Sequence, residues 1–409
     1  MRHLSKHNIQ VIYLYVSTIL GSFLGFATSI VNTNYLSEAD YGDVRYVQNL
    51  ITLLASLLLF GYFLSGSRLL AVSNDQGYSS RVRGAMVVVL AICSFILVTF
   101  TLISAFLHRG SSVMSLFLIS LPVCMYPLFT NYINTTAQGD NHIGRLAISR
   151  IMPALLYVPV AYLLYSKITV TSSMMVLLQW GMYCAVLLVI IFSTRPTFHN
   201  LKSVFSDLKV ENESYGKHLY YGSLLMVTTN YLAGVTLGIL NDDNVNVGYY
   251  TLALTLTAPL AYLPGIIGTA YFKKFVDEPR IPTNVLKGTL IITILSCSLF
   301  ILVIKYVVDF FYPESYMPVG GYASWMAIGF SVHGIGDMIN RFLGSHGEGI
   351  SIRNSSYACG VCKITGFVFL VWIWDINGAL LTNILSSFVY CASLMYYYVK
   401  YVKKNIMLR

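Results

Sequence analysis

Four ionisable side chains stand in stretches otherwise apolar enough to lie within a bilayer. His333, Asp337 and Arg341 recur at i, i+4 and i+8, so on a helix they share one face, and Lys363 lies in the next stretch. An ionisable group inside a membrane-crossing helix is costly and marks a pathway or relay by default. At 1.5 Å per residue, Asp337 and Lys363 lie on the order of 10–14 Å from the basic ends of their helices, so an Asp337–Lys363 contact is feasible. Two readings stay open. One is a neutralised pair that fixes helix packing. The other gives Asp337 and His333 proton- or sodium-linked roles and makes Lys363 a substrate or switch cation.

Arg68, Arg145 and Arg150 form a second constellation, each near the basic end of an apolar stretch. Guanidinium groups meet phosphate oxygens in bidentate fashion, which suits a phosphate-bearing ligand; each equally suits an interfacial anchor. Arg68 is favoured because it follows the long second stretch directly. Uncharged polar residues mark a third feature: Asn32 and Asn34, Asn131, Asn134, Thr135 and Thr136, and Thr228, Thr229 and Asn230. Such groups glue helices together or line a sugar-binding cavity, where the 31 Tyr could add ring faces. Tyr396, Tyr397 and Tyr398 read instead as an interfacial belt.

Several motifs carry less. Cys359-Gly-Val-Cys362 has no second pair or nearby His, so it reads with the other five cysteines as small buried hydrophobes. Gly139…Gly144-Arg145-Leu146 lacks the Lys and Ser/Thr of a phosphate loop, so neither a nucleotide nor any other cofactor is expected. Glu38 and Asp40 read as a solvated turn. Gly21 and Gly25 make a GxxxG suited to close helix packing. Pro122/Pro127, Pro153/Pro159 and Pro259/Pro264 predict kinks in three helices.

The elements that must position these residues follow from composition. The 409 residues are 56% hydrophobic and only 11% charged, where a soluble domain carries about 25% charged residues. Mean hydropathy is +0.67. Most of the surface must therefore face lipid. The apolar stretches run over 9–35, 44–66, 84–107, 112–137, 147–166, 171–194, 218–240, 248–272, 286–309, 320–343, 354–374 and 377–399. Each is long enough to cross the hydrocarbon core. Alternating the connections places 21 of the 26 basic residues on the side of both termini. Only Arg45, Arg109, Lys167 and Lys305 fall opposite, so the termini are expected in the cytoplasm. The net charge of +9 is thus topological, and nucleic acid is excluded as a partner.

The pattern predicts an all-α polytopic membrane protein of about twelve helices. A turn at Leu36-Ser-Glu-Ala-Asp40-Tyr41-Gly42 has a counterpart at Leu240-Asn-Asp242-Asp243-Asn-Val-Asn-Val247-Gly248-Tyr249, the two glycines lying 206 residues apart. Two pseudo-symmetric six-helix bundles are expected, over 1–200 and 217–409, with a cytoplasmic linker at 201–216. An even number of helices per half makes the repeats parallel.

The Tyr-Gly turn at 36–42, continuing through Gly61 to Gly66-Ser67-Arg68, resembles the opening of Wzx-type O-antigen flippases. Val247-Gly248-Tyr249-Tyr250-Thr-Leu-Ala253, with Ala258-Pro259 and Pro264 downstream, is similar to the same family. These belong to the polysaccharide branch of the MOP (multidrug/oligosaccharidyl-lipid/polysaccharide) superfamily. The resemblance implies two six-helix lobes around a cavity and alternating-access movement of undecaprenyl-diphosphate-linked sugar repeats. It further implies a bacterial inner-membrane location, a non-enzymatic role, a polysaccharide polymerase and a chain-length regulator as partners, and H+ or Na+ as coupling ion. Relatives often carry cations in the first helix, whereas this chain has none between Lys6 and Arg45. The expected substrate set is Arg68, Arg145, Arg150, Lys363, Asn32 and Asn230, and the ion-coupling set Asp337, His333 and Arg341. The alternatives are a multidrug antiporter of the superfamily and a membrane glycosyltransferase or polymerase. A channel is weaker still, since Val247-Gly248-Tyr249-Tyr250 only partly resembles a filter and occurs once.

Overall fold

The computed structural model describes residues 6–140 and 142–407, and every regular element among them is helical. The chain divides into two compact units, Met1–Tyr231 and Leu232–Arg409.

The first unit contains α1 (Lys6–Tyr35), α2 (Glu38–Leu57), α3 (Tyr62–Val72), α4 (Gln76–Leu107), α5 (Val113–Ser120), α6 (Tyr126–Gly139), α7 (Ile143–Tyr165), α8 (Ser172–Ser193) and α9 (Leu201–Glu211). The boundary falls within α10 (Lys217–Leu240). The second unit continues with α11 (Val245–Thr257), α12 (Pro259–Phe275), α13 (Thr283–Phe311), α14 (Pro318–Ser345), α15 (Gly349–Thr365) and α16 (Val371–Met407). Seven helical runs are long and apolar enough to cross a membrane, or eight if the bent α2–α3 pair is one span. When α2–α3, α5–α6 and α11–α12 each count as one broken rod and α9 is set aside, the rods follow the twelve apolar stretches of the sequence. Large side chains stay on the outside, among them Phe95, Leu107, Phe310 and Trp372. That surface suits acyl chains.

Local chemistry sets the breaks. Ser37 caps α2 by accepting from the Asp40 amide at 3.1 Å, and Glu38 and Asp40 favour the positive end of the helix dipole. Between α2 and α3 the axis bends by 60°. Gly61 sits there at φ 81, and a Cβ on it would lie 2.5 Å from the Gly216 backbone. A broken helix in lipid must have its freed carbonyls satisfied. Tyr220 Oη donates to the Leu57 carbonyl at 2.8 Å and Asn212 Nδ2 to that of Phe60 at 3.2 Å. The stretch expected to join the two bundles, 201–216, is therefore partly structural: α9 buries Val204 and Leu208 and packs on α3 and α4.

In the second unit small residues bring helices close. A Cβ on Gly334 of α14 would lie 2.7 Å from the Ala261 carbonyl of α12. The reversal into α16 is made at Trp374 and Asp375, the latter at φ 50. The Asp375 carboxylate accepts from Asn241 Nδ2 at 2.6 Å and from Asn246 Nδ2, which ties the reversal to the α10–α11 turn.

Candidate functional site

Inside the first unit, α1, α2, α7 and α8 contribute a polar patch. Arg45, counted from sequence among the few basic residues on the side away from the termini, is a part-buried residue two turns into α2. Its Nη1 donates to Gln48 Oε1 at 2.9 Å, and its guanidinium lies 4.8 Å from the Tyr41 ring centroid. Its Nε is buried without a hydrogen-bond partner. Gln48 reaches Gln179 of α8 at 3.4 Å, and the Tyr157 and Tyr183 rings meet edge to face with centroids 6.0 Å apart. Tyr157 Oη donates to Asn32 Oδ1 at 2.6 Å and lies 3.1 Å from the Tyr165 hydroxyl. Asn32 is fully buried, yet its Nδ2 has no partner. Buried orphan donors are rare, and two in one polar patch can be met by water or a ligand. Asn32 was legible from sequence. Arg45 was not, because counting loop charges hides a cation that faces inward.

The three arginines singled out from sequence occupy separate places within the first unit. Exposed Arg68 lies within α3, its guanidinium on Glu211 Oε1 at 2.7 Å and over the Tyr215 ring at 4.6 Å. Arg150 on α7 donates to Thr18 Oγ1 of α1 at 2.7 Å, one turn from where Gly21 meets the Arg150 backbone. Gly21 is thus the packing half of the GxxxG, while Gly25 faces open space. Arg145 lies 3.6 Å from Asp140, which also receives a two-point contact from Arg83 at 2.9 and 2.8 Å. Asp140, which ends α6, was missed as an organising residue; an acid directly after Gly139 reads as a turn.

In the second unit, His333 and Asp337 lie on one face of α14, as their spacing predicts, and both meet Tyr390 of α16. The His333 and Tyr390 rings stack with centroids 4.5 Å apart and planes inclined by 17°. Tyr390 Oη donates to Asp337 Oδ1 at 3.1 Å and accepts from Asn340 Nδ2 at 2.8 Å. Gly336 makes the room, since a Cβ there would lie 2.8 Å from the Tyr390 ring. Lys363 on α15 is buried. Asp337 and Lys363 form no ion pair; the carboxylate is held by a neutral phenol instead. Arg341 continues the face into the exposed end of α14, its stem near Gly268 of α12. Asn230, on α10 at the end of the first unit, is exposed, and the neighbouring Thr229 is buried and bonds back to the Leu225 carbonyl. The side chain of Thr228 lies outside the described residues. Cys359 and Cys362 are free, and no metal-ligating cluster occurs among the described residues.

Broken helical rods in two units, with ionisable groups kept in their interiors, are those of a polytopic membrane protein. The chain belongs to the polysaccharide biosynthesis protein family, whose model matches residues 9–275. Solved structures give the fold the same frame. It is similar to a lipid II flippase, MurJ, in an inward closed conformation, with TM-score 0.74 and 13% identity over 96% of this chain and 89% of that one. It is similar to an inward-facing multidrug resistance MATE transporter of the MOP superfamily, with TM-score 0.71 and 14% identity over 95% and 99%. A MOP-superfamily transporter from Pyrococcus furiosus aligns with TM-score 0.56 and 15% identity over 96% of each chain. No curated protein sequence matches. The chain is a polysaccharide-synthesis-family membrane protein with the MOP transporter fold.

Proposed function

We propose that the protein is a Wzx-type flippase that carries undecaprenyl-diphosphate-linked O-antigen or related polysaccharide repeat units from the cytoplasmic to the periplasmic leaflet of a bacterial inner membrane. The observation that carries this reading is the interior of the first unit: a cation and an amide with unused donors, Arg45 Nε and Asn32 Nδ2, in one buried polar patch. Such donors suit an anionic, hydroxyl-rich cargo. A cationic drug would meet repulsion there, which weighs against the multidrug antiporter.

In this account Arg68, Arg145 and Arg150 meet the diphosphate at the entry side, and Asn32, Asn230 and Lys363 contact cargo during passage. The prenyl tail stays in the bilayer. The 1–200 and 217–409 bundles work as the two lobes, joined through 201–216. Outward movement of a diphosphate runs down an inside-negative potential, about 2.3 kcal/mol per charge per 100 mV. A proton or sodium ion taken up at Asp337, with His333 and Arg341 on the same face, resets the cycle. A polymerase and a chain-length regulator would take the product.

Deletion in a native host tests the reading. Loss of surface polysaccharide with build-up of lipid-linked repeats on the cytoplasmic side is expected. Unchanged polysaccharide with new drug sensitivity would favour the antiporter.

A further inference from the structure

Where α3 and α8 end, α4 begins and α6 passes into α7, the first unit holds a recess of about 680 Å³. Three arginines line it, Arg83, Arg145 and Arg195, against one carboxylate, Asp140. Arg83 is already committed: it grips both Asp140 oxygens and donates to the Thr194 carbonyl at 3.2 Å. Arg145 makes only one long contact with the same carboxylate, and Arg195 makes none. Arg145 stands 3.6 Å from Asp140, and its Nη1 is buried without a hydrogen-bond partner. The side chain of Arg195 makes no hydrogen bond or ion pair with the described residues, although its backbone sits at φ 52 and its N–H donates to the Phe192 carbonyl at 3.0 Å. A non-glycine residue held in the left-handed region signals a constraint worth a function.

We propose that this recess is a binding site for a phosphate-bearing polyol, with Arg145 and Arg195 closing on the phosphate oxygens. The Arg83–Asp140 pair fixes the floor, so Arg195 keeps its whole N–H fork and Arg145 is held only by its 3.6 Å contact through Nη1; a planar fork is the geometry phosphate prefers. A phosphate group occupies only a few water volumes of about 30 Å³ each, a small part of the space. The remainder is lined by the hydroxyl residues Ser73, Ser79 and Ser80, which suit glycerol or sugar hydroxyls. Two sources share this chemistry: the headgroup of an anionic phospholipid and a soluble phosphorylated polyol. Val72 and Phe192, 74% and 61% exposed, adjoin lining residues in sequence and place lipid-compatible surface beside the recess. The site does not depend on the transport reading, since it is read at equilibrium without any lipid-linked sugar.

The test uses the purified full chain. Glycerol 3-phosphate binding is measured by calorimetry in detergent, and retention of phosphatidylglycerol against phosphatidylcholine by native mass spectrometry. Binding of either phosphate ligand, weakened at least tenfold in R145Q/R195Q and by a smaller factor in R195Q alone, is the expected result. R353Q, which removes one exposed charge from the other unit, leaves it unchanged. Retention of phosphatidylglycerol without glycerol 3-phosphate binding assigns the site to lipid, and the reverse assigns it to a soluble anion. No binding of either ligand overturns the proposal. So does equal binding of glycerol or phosphatidylcholine, or affinity that survives in the folded R195Q and R145Q/R195Q proteins.

Discussion

The two units treat charge in opposite ways. All three ion pairs among the described residues, Arg68–Glu211, Arg83–Asp140 and Arg145–Asp140, belong to the first unit. In the second, Asp337 is held by Tyr390 and Asp375 by Asn241 and Asn246, all neutral partners. A carboxylate locked to a guanidinium is difficult to neutralise, whereas one held by dipoles can gain a proton or cation without leaving an opposite charge stranded. The contrast is the one the proposed function draws on, with anion handling in the first unit and ion exchange in the second.

The contrast is broken most forcefully at Asp140. Asp140→Ala strands Arg83, whose side chain is only 15% exposed, and should cost about 3–5 kcal/mol in denaturant unfolding. Asp337→Asn keeps the shape of a neutral-held group and should cost under about 1.5 kcal/mol. If the two losses are equal, the distinction between the units fails. Tyr157→Phe removes the one side-chain donor to Asn32 Oδ1, and a loss of about 1–3 kcal/mol in the same measurement is expected. Gly336→Ala forces Tyr390 aside and should cost about 1–3 kcal/mol by overpacking; restoration by a second change, Tyr390→Leu, sharpens the assignment. Arg68→Ala is the mildest for stability, under about 1 kcal/mol, because its pair is exposed. The flippase account nevertheless expects a charge swap at Arg68 to reduce surface polysaccharide, and full display would contradict its phosphate role.

Much of the frame was legible in the sequence. Apolar stretches long enough to span a bilayer predicted the rods, and the separation of the last two stretches near Asp375 matches the break at Trp374 and Asp375. The i, i+4 spacing put His333 and Asp337 on one face. What escaped depends on contacts between distant segments. Proline suggested kinks in three helices, and breaks do fall at Pro122 and Pro259; α7, however, runs unbroken through Pro153 and Pro159, and a break without any proline occurs at Gly61. That break needs Asn212 and Tyr220 to satisfy its carbonyls, and nothing local announces them. Tyr390 looked like one more aromatic in an apolar run, and its role depends on Asp337 lying 53 positions earlier. Arg45 was hidden by the same charge counting that gave the topology.

Proteoliposomes holding the full chain and a fluorescent undecaprenyl-diphosphate glycan test the account most directly. Wild-type protein should move the glycan between leaflets faster when a proton or sodium gradient is imposed, and Asp337→Asn should lose at least about tenfold of that acceleration, a change of some 1.4 kcal/mol. A protein that moves no glycan, or an Asp337→Asn variant as responsive to both gradients as the wild type, would contradict it.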